Sequence, residues 1–140
     1  MPVADEIVDT LSQLTLFGDL AAPELEKVAH TFEEEWFAAG QRVLRQGFAG
    51  GGFYVVLDGE ATVHVDGQEV GRLARGDFFG EISLLLGDVP GADVVATTPL
   101  RCVVLSGPLF EGFLREHPPV MYRMLQTEAR RVRAPSRWRS

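Results

Sequence analysis

Hydrophobic positions recur with two different periods along the chain. Near the N-terminus, Ile7, Leu11 and Leu14 fall at helical spacing. A second helix is expected from Pro23, where the missing amide hydrogen costs nothing, with Glu24 and Glu26 in its first turn beside the positive helix end. These make a helical lead-in over 1–35. From Trp36 the rhythm changes: glycines at 40, 47, 59, 67, 76 and 87 bracket short runs rich in Val, Phe, Tyr and Thr, the pattern of an antiparallel sandwich or barrel. The clearest local signal is EATVHVDGQEV. Val63 and Val65 alternate with Thr62 and His64, and Asp66-Gly67 supplies the positive φ angles of a tight hairpin. AGGGF at 49–53 reads as a turn. After VVATTPLRCVVL, Ser106 is placed to cap a helix through Phe110 and Phe113. Pro118-Pro119 opens another, in which Met121, Leu125, Ala129 and Val132 share one face. The order is helices, many short strands, then helices.

Composition narrows the class. With 140 residues, 46% hydrophobic and 24% charged, the chain suits one globular domain with a substantial core. Its longest apolar runs, such as Ile82 to Leu86, are far below the ~20 residues of a membrane helix, and no basic segment precedes an apolar one at the N-terminus. No membrane association is expected. The one cysteine, Cys102, lies in the apolar run RCVVL and reads as a small buried hydrophobe, which fits a reducing, cytoplasmic setting. Charge is uneven: residues 1–100 carry 17 acids and 5 bases, whereas 101–140 carry 3 acids and 8 bases, for a net −7. The acidic body argues against direct nucleic-acid binding. The closing ARRVRAPSRWRS reads as a solvated basic tail or the start of a linker.

Catalysis finds little support. His30, His64 and His117 are far apart in sequence and form no His-x-His pair, so no metal site is expected. There is no Gly-x-Ser-x-Gly around Ser83, and pairing Cys102 with His117 would require a buried thiol to be exposed. No catalytic residues and no cofactor are assigned. Binding fits better. In DFFGEISLLLG, a helical turn from Gly80 to Leu85 leaving a strand would present unpaired amides to an anion, and Glu81 at its mouth could accept a hydrogen bond from a ligand hydroxyl.

Residues Phe37 to Leu85, with the run FxxGxxVLRQGxxGxxFYVVLDGExTVHVDGxxVGRLxxGDFFGEISLL, resemble the cyclic nucleotide-binding domain family of protein kinase A regulatory subunits, the catabolite activator group and cyclic-nucleotide-gated channels. The likeness extends through ATTPLRCVVLSGPLFEGFLREHPPV and back over TLFGDLAAPELEKVAHTF. It implies an α+β, mainly β fold: an antiparallel, jelly-roll-like double-stranded β-roll over 36–106, with flanking N-terminal and C-terminal helices, the latter over 107–133, and a basic tail at 134–140. It also implies a phosphate-binding cassette at 79–93. In it, Phe79 and Gly80 would lie against the cyclic phosphate and ribose, Glu81 would take the ribose 2′-hydroxyl, and Ile82 and Ser83 would continue the short helix. Pro90, Gly91, Ala92 and Asp93 would close it. Val63, Val70 and Leu73 are candidates for the base pocket, with Tyr122 or Leu125 as lid.

One departure stands out. The family's cassette usually closes with an arginine that grips the exocyclic phosphate oxygens. Here the segment is VPGADVVA: one alignment puts Pro90 at that position, another Gly91, and Asp93 falls where a small hydroxyl residue is common. A charge-assisted hydrogen bond to phosphate is worth ~1.5–3 kcal/mol, so its loss weakens binding roughly ten- to a few-hundred-fold unless Arg72 or Arg75 substitutes. Two functional readings follow. One is a non-enzymatic ligand-sensing regulatory domain for cyclic AMP or cyclic GMP, weakened at the phosphate, its output a movement of the C-terminal helices. The other is a degenerate module that binds no nucleotide and serves protein contacts, including a homodimer through the C-terminal helix. Either could be the sensor half of a longer regulator.

Overall fold

The computed structural model describes residues 2–134, with their side chains from Glu6 onward. Helix α1 (Pro2–Ser12), a 3-10 turn (Thr15–Phe17) and α2 (Ala22–Thr31) precede eight strands. The strands are β1 (Glu33–Phe37), β2 (Arg42–Leu44), β3 (Gly52–Asp58), β4 (Ala61–Val65), β5 (Gln68–Leu73), β6 (Phe78–Phe79), β7 (Asp93–Ala96) and β8 (Leu100–Ser106). A short helix, α3 (Glu81–Leu86), interrupts them, and α4 (Gly107–Glu116) and α5 (Pro118–Arg133) follow. The strands form two antiparallel sheets, ordered β1-β8-β3-β6 and β2-β7-β4-β5, which makes the expected β-roll.

The sheet begins at Glu33 rather than Trp36, because β1 is recruited by register against β8 (Glu33 opposite Val104) and not by its own charged sequence. Strand β3 explains the core. Its FYVVL run is buried on both faces: Phe53, Val55 and Leu57 pack under the helices with Leu11, Phe17, Phe32 and Phe113, while Tyr54 and Val56 face the second sheet with Val63, Leu73 and Val94. A strand covered on both sides loses the polar alternation that a half-exposed strand keeps. β8 repeats the device, with Val103 and Leu105 on one side and Cys102 on the other. Burial pushes the Cys102 thiol up to about 12, so it is a packing group rather than a nucleophile.

The hairpin between β4 and β5 is as expected. Asp66 (φ 53°) and Gly67 (φ 81°) take the left-handed conformations of a tight turn. Ser106 does precede α4, but its hydroxyl makes no capping bond. In α5 the buried positions are Val120 and Met124, so Met121, Leu125 and Val132 lie on the exposed face. Arg130, Arg131 and Arg133 form the last turn of α5, inside the helical span expected over 107–133, and the basic tail expected at 134–140 lies, from residue 135, outside the described part of the chain.

Candidate functional site

The site is built where β6 ends. Gly80, with φ 91°, turns the chain from Phe79 into α3, and a side chain there would put its Cβ 2.1 Å from the Gly52 carbonyl oxygen. Glycine is therefore required at 80 by packing against the neighbouring strand, before any ligand is considered. Phe79 is held by stacking on Tyr54, with centroids 4.7 Å apart and planes 2° from parallel. This anchors the start of α3, and Ser83 donates back to the Gly80 carbonyl at 3.3 Å. Gly87 (φ 66°) ends the helix. The returning loop is tied down at Pro90, whose carbonyl accepts from the Gly47 amide at 2.8 Å.

The structure brings most of the expected cassette together. Phe79, Gly80, Ile82, Ser83, Pro90, Gly91 and Ala92 line one pocket with Val63, Leu44 and Val94. Val70 and Leu73 do not line it; Leu73 is buried in the core between the sheets. Asp93 faces elsewhere, its Oδ1 accepting from the Gln46 amide at 2.7 Å, so it adds no negative charge to the pocket. Arg72 pairs with Glu69 at the surface, and Arg75 reaches Gln13 and the Leu57 carbonyl; neither replaces the missing cassette arginine. Tyr122 and Leu125 are 60% and 63% exposed and line a separate apolar groove with Leu85, so in this arrangement they are not a lid. Helical spacing does put them on one face. What faces the body, however, is the strip carrying Val120 and Met124.

Among the described residues the walls carry no cation, and the pocket holds little free space. Its free volume is about 10 Å³, room for roughly one water molecule. Glu81 does not line this pocket: it is 0% exposed and its carboxylate is turned to α5. Arg131 of α5 donates from Nη1 to Glu81 Oε2 at 3.0 Å and to Glu128 Oε1 at 3.2 Å, and from Nη2 to the Phe78 carbonyl at 3.0 Å. Its guanidinium also lies 4.9 Å over the Phe78 ring. Two buried oxygens, Glu81 Oε1 and Glu128 Oε2, have no donor. Burial first, and then the facing Glu128, push the Glu81 carboxyl well above its ordinary range, with Arg131 opposing.

Arg131 is the functional residue that sequence reasoning misses. It reads as part of the closing basic stretch, although Glu128 and Arg131 stand three apart on a helix, the spacing of an intrahelical ion pair. Among the described residues, no cluster of three or more His, Cys, Asp or Glu side chains is placed to hold a metal, and no helix is long and apolar enough to cross a membrane.

Residues 34–117 match the family model for the cyclic nucleotide-binding domain. The chain belongs to that family. It is 37% identical over 108 residues to a cAMP-dependent protein kinase regulatory subunit of Mucor circinelloides f. lusitanicus, an alignment covering 74% of this chain and 25% of the relative. Among solved structures it resembles the regulatory subunit of a cAMP-independent protein kinase A from Trypanosoma cruzi bound to guanosine (TM-score 0.78, 26% identity, 96% of this chain and 48% of that one). A triple mutant of the Trypanosoma brucei counterpart, bound to cAMP in its A site, is similarly close (TM-score 0.80, 26% identity, 96% and 49%). The Thermus thermophilus catabolite activator protein gives a TM-score of 0.74 at 29% identity, over 85% of this chain and 58% of that one. The chain thus spans about a quarter of the curated relative and about half of these structures. It is a cyclic nucleotide-binding-type regulatory domain similar to those of protein kinase A, and it is not an enzyme.

Proposed function

We propose that this domain senses a nucleoside-type ligand through Glu81, with little dependence on a cyclic phosphate. The observation that carries this reading is a cassette whose buried carboxylate is intact while its walls, among the described residues, hold no cation. A ribose hydroxyl can donate to Glu81, but a phosphate would enter an apolar cavity with no guanidinium to receive it. Two relatives support the same division. The Trypanosoma cruzi regulatory subunit is described with guanosine bound, and the Trypanosoma brucei form with cAMP bound carries three substitutions, one of them threonine to arginine.

Such a ligand has to open the site. Small-molecule pockets run to ~300–1,000 Å³, far above the present 10 Å³. The ligand must also take Glu81 from Arg131. Release of Arg131 frees the end of α5, and that movement is the output. Binding is weakened by whatever the closed arrangement is worth, since only the open fraction binds.

Isothermal titration of the full chain with guanosine, adenosine, cyclic AMP and cyclic GMP tests the proposal. The nucleosides should bind at least as tightly as the cyclic nucleotides, and Glu81→Ala should abolish both. Tighter cyclic AMP binding would overturn the preference, and binding indifferent to Glu81→Ala would move the ligand elsewhere. A second reading, a module for protein contacts including a homodimer, is favoured by the exposed apolar groove of Leu85, Met121, Tyr122 and Leu125. Sedimentation equilibrium showing a monomer at high concentration removes the dimer.

A further inference from the structure

A second cleft, of about 420 Å³, opens where three distant parts of the chain meet. The segment after α1 contributes Gln13 and Thr15, the turn between β5 and β6 contributes Arg75, and α5 contributes Arg123, Thr127 and Arg130. The three α5 residues lie four and then three apart, so they share one helix face. Arg75 is aimed by a rigid turn: Asp77 Oδ2 accepts from the Ala74 amide at 2.8 Å, and the Asp77 amide donates to the Ala74 carbonyl at 2.9 Å.

The charges in this cleft are only partly neutralised. Arg123 is held by Asp19 through two bonds, of 2.7 and 3.1 Å. Arg75 donates to neutral acceptors, Gln13 Oε1 at 2.7 Å and the Leu57 carbonyl at 3.4 Å, and Arg130 reaches the Thr127 hydroxyl at 3.5 Å. Neither has a carboxylate within ion-pair distance among the described residues. Among the described residues, the one acid lining the cleft, Asp77, is spent on its own turn. Three arginines on one cleft go against the charge of the chain, whose first hundred residues hold 17 acids and 5 bases.

Planar guanidinium forks match the spacing of phosphate oxygens, and the Thr15 and Thr127 hydroxyls and the Gln13 amide add donors. The volume falls within the ~300–1,000 Å³ of small-ligand sites. The acidic body disfavours a nucleic acid. We infer that this cleft binds a small phosphate-bearing anion, a phosphomonoester or pyrophosphate, separately from the cassette. Half of its donors ride on α5, so the site exists only while α5 is docked, and occupancy favours the docked arrangement. The cleft's own donors lie outside the cassette, so its occupancy in the docked chain is read without any cassette ligand present.

The test is calorimetric titration of the full chain with pyrophosphate, at ionic strength held constant with potassium chloride. Saturable one-to-one binding is expected, accompanied by a rise in the thermal midpoint. The double variant Arg75→Gln, Arg130→Gln changes two exposed side chains and should weaken binding by at least about tenfold, the effect of losing charge-assisted bonds. Arg72→Gln, outside the cleft, should bind like the parent. No saturation in the millimolar range would overturn the inference. So would a double variant that binds like the parent, or an equal loss in Arg72→Gln, which would mean only bulk charge was felt.

Discussion

The cassette pocket and the arginine cleft adjoin, yet they are opposite in chemistry. Phe78 gives its carbonyl to Arg131 on the cassette side and lines the cleft as well. Arg130 and Arg131, consecutive on α5, serve one site each. The cassette holds a fully buried carboxylate, apolar walls and about 10 Å³ of free space; the cleft holds guanidiniums, hydroxyls and about 420 Å³. In a family recognised by its phosphate cassette, the cations of this chain have gathered beside the cassette instead of inside it. The guanidinium that reaches the cassette acid Glu81, Arg131, is brought by α5, from 50 positions away in the chain.

If that description is right, removing Arg131 should cost more than removing any exposed arginine. Arg131→Met leaves Glu81 and Glu128 buried without their cation. Breaking a buried pair from one side typically costs about 3–5 kcal/mol, part of which is recovered where a buried carboxylate takes up a proton. Because Arg131 ties α5 to Glu81 and to the Phe78 carbonyl, the loss should appear first as faster amide exchange along α5, with the β-roll amides still protected. Arg123→Ala, which breaks the exposed pair with Asp19, should change exchange far less. Equal effects from the two variants would mean that the buried triad does not hold the helix.

A gain of function probes the other half of the contrast. Gly91 lines the cassette pocket and is exposed, and a Cβ at this position would meet no atom within 4 Å, so a longer side chain is tolerated there. Gly91→Arg should supply the absent phosphate contact and tighten cyclic AMP binding by roughly 10- to 150-fold, the equivalent of ~1.5–3 kcal/mol, while leaving guanosine binding unchanged. If both ligands gain equally, the cassette was not short of a phosphate partner.

The sequence is informative wherever a local rule coincides with a tertiary one. The Asp66-Gly67 turn, the doubly buried FYVVL strand and the Gly80-Glu81 corner each follow from residues close in the chain. The pairing of Glu81 with Arg131 spans 50 positions and has no such mark. Nor does composition tell which face of α5 is covered: Met121 and Leu125 are as apolar as Val120 and Met124, and only the docking against the 3-10 turn and α4 selects the second pair. The arginine cleft is hidden for the same reason, since its residues come from three segments and each reads as ordinary surface by itself.

The smallest effect expected is a pH dependence. The Glu81 carboxyl is held above its ordinary range, by burial first and then by Glu128, so the folded chain keeps a proton that the unfolded chain gives up. Its contribution to stability is therefore complete below the ordinary carboxylate pKa and is lost as pH rises through the raised value. For one proton the slope cannot exceed about 1.4 kcal/mol per pH unit. Glu128→Gln removes the facing acid and lets Arg131 pair with an ionised Glu81, so its urea-unfolding stability should fall less steeply than the parent's as pH rises from the carboxylate range to neutrality. A steeper fall in the variant would mean that Glu128 was stabilising the ionised carboxylate through Arg131 rather than raising its pKa.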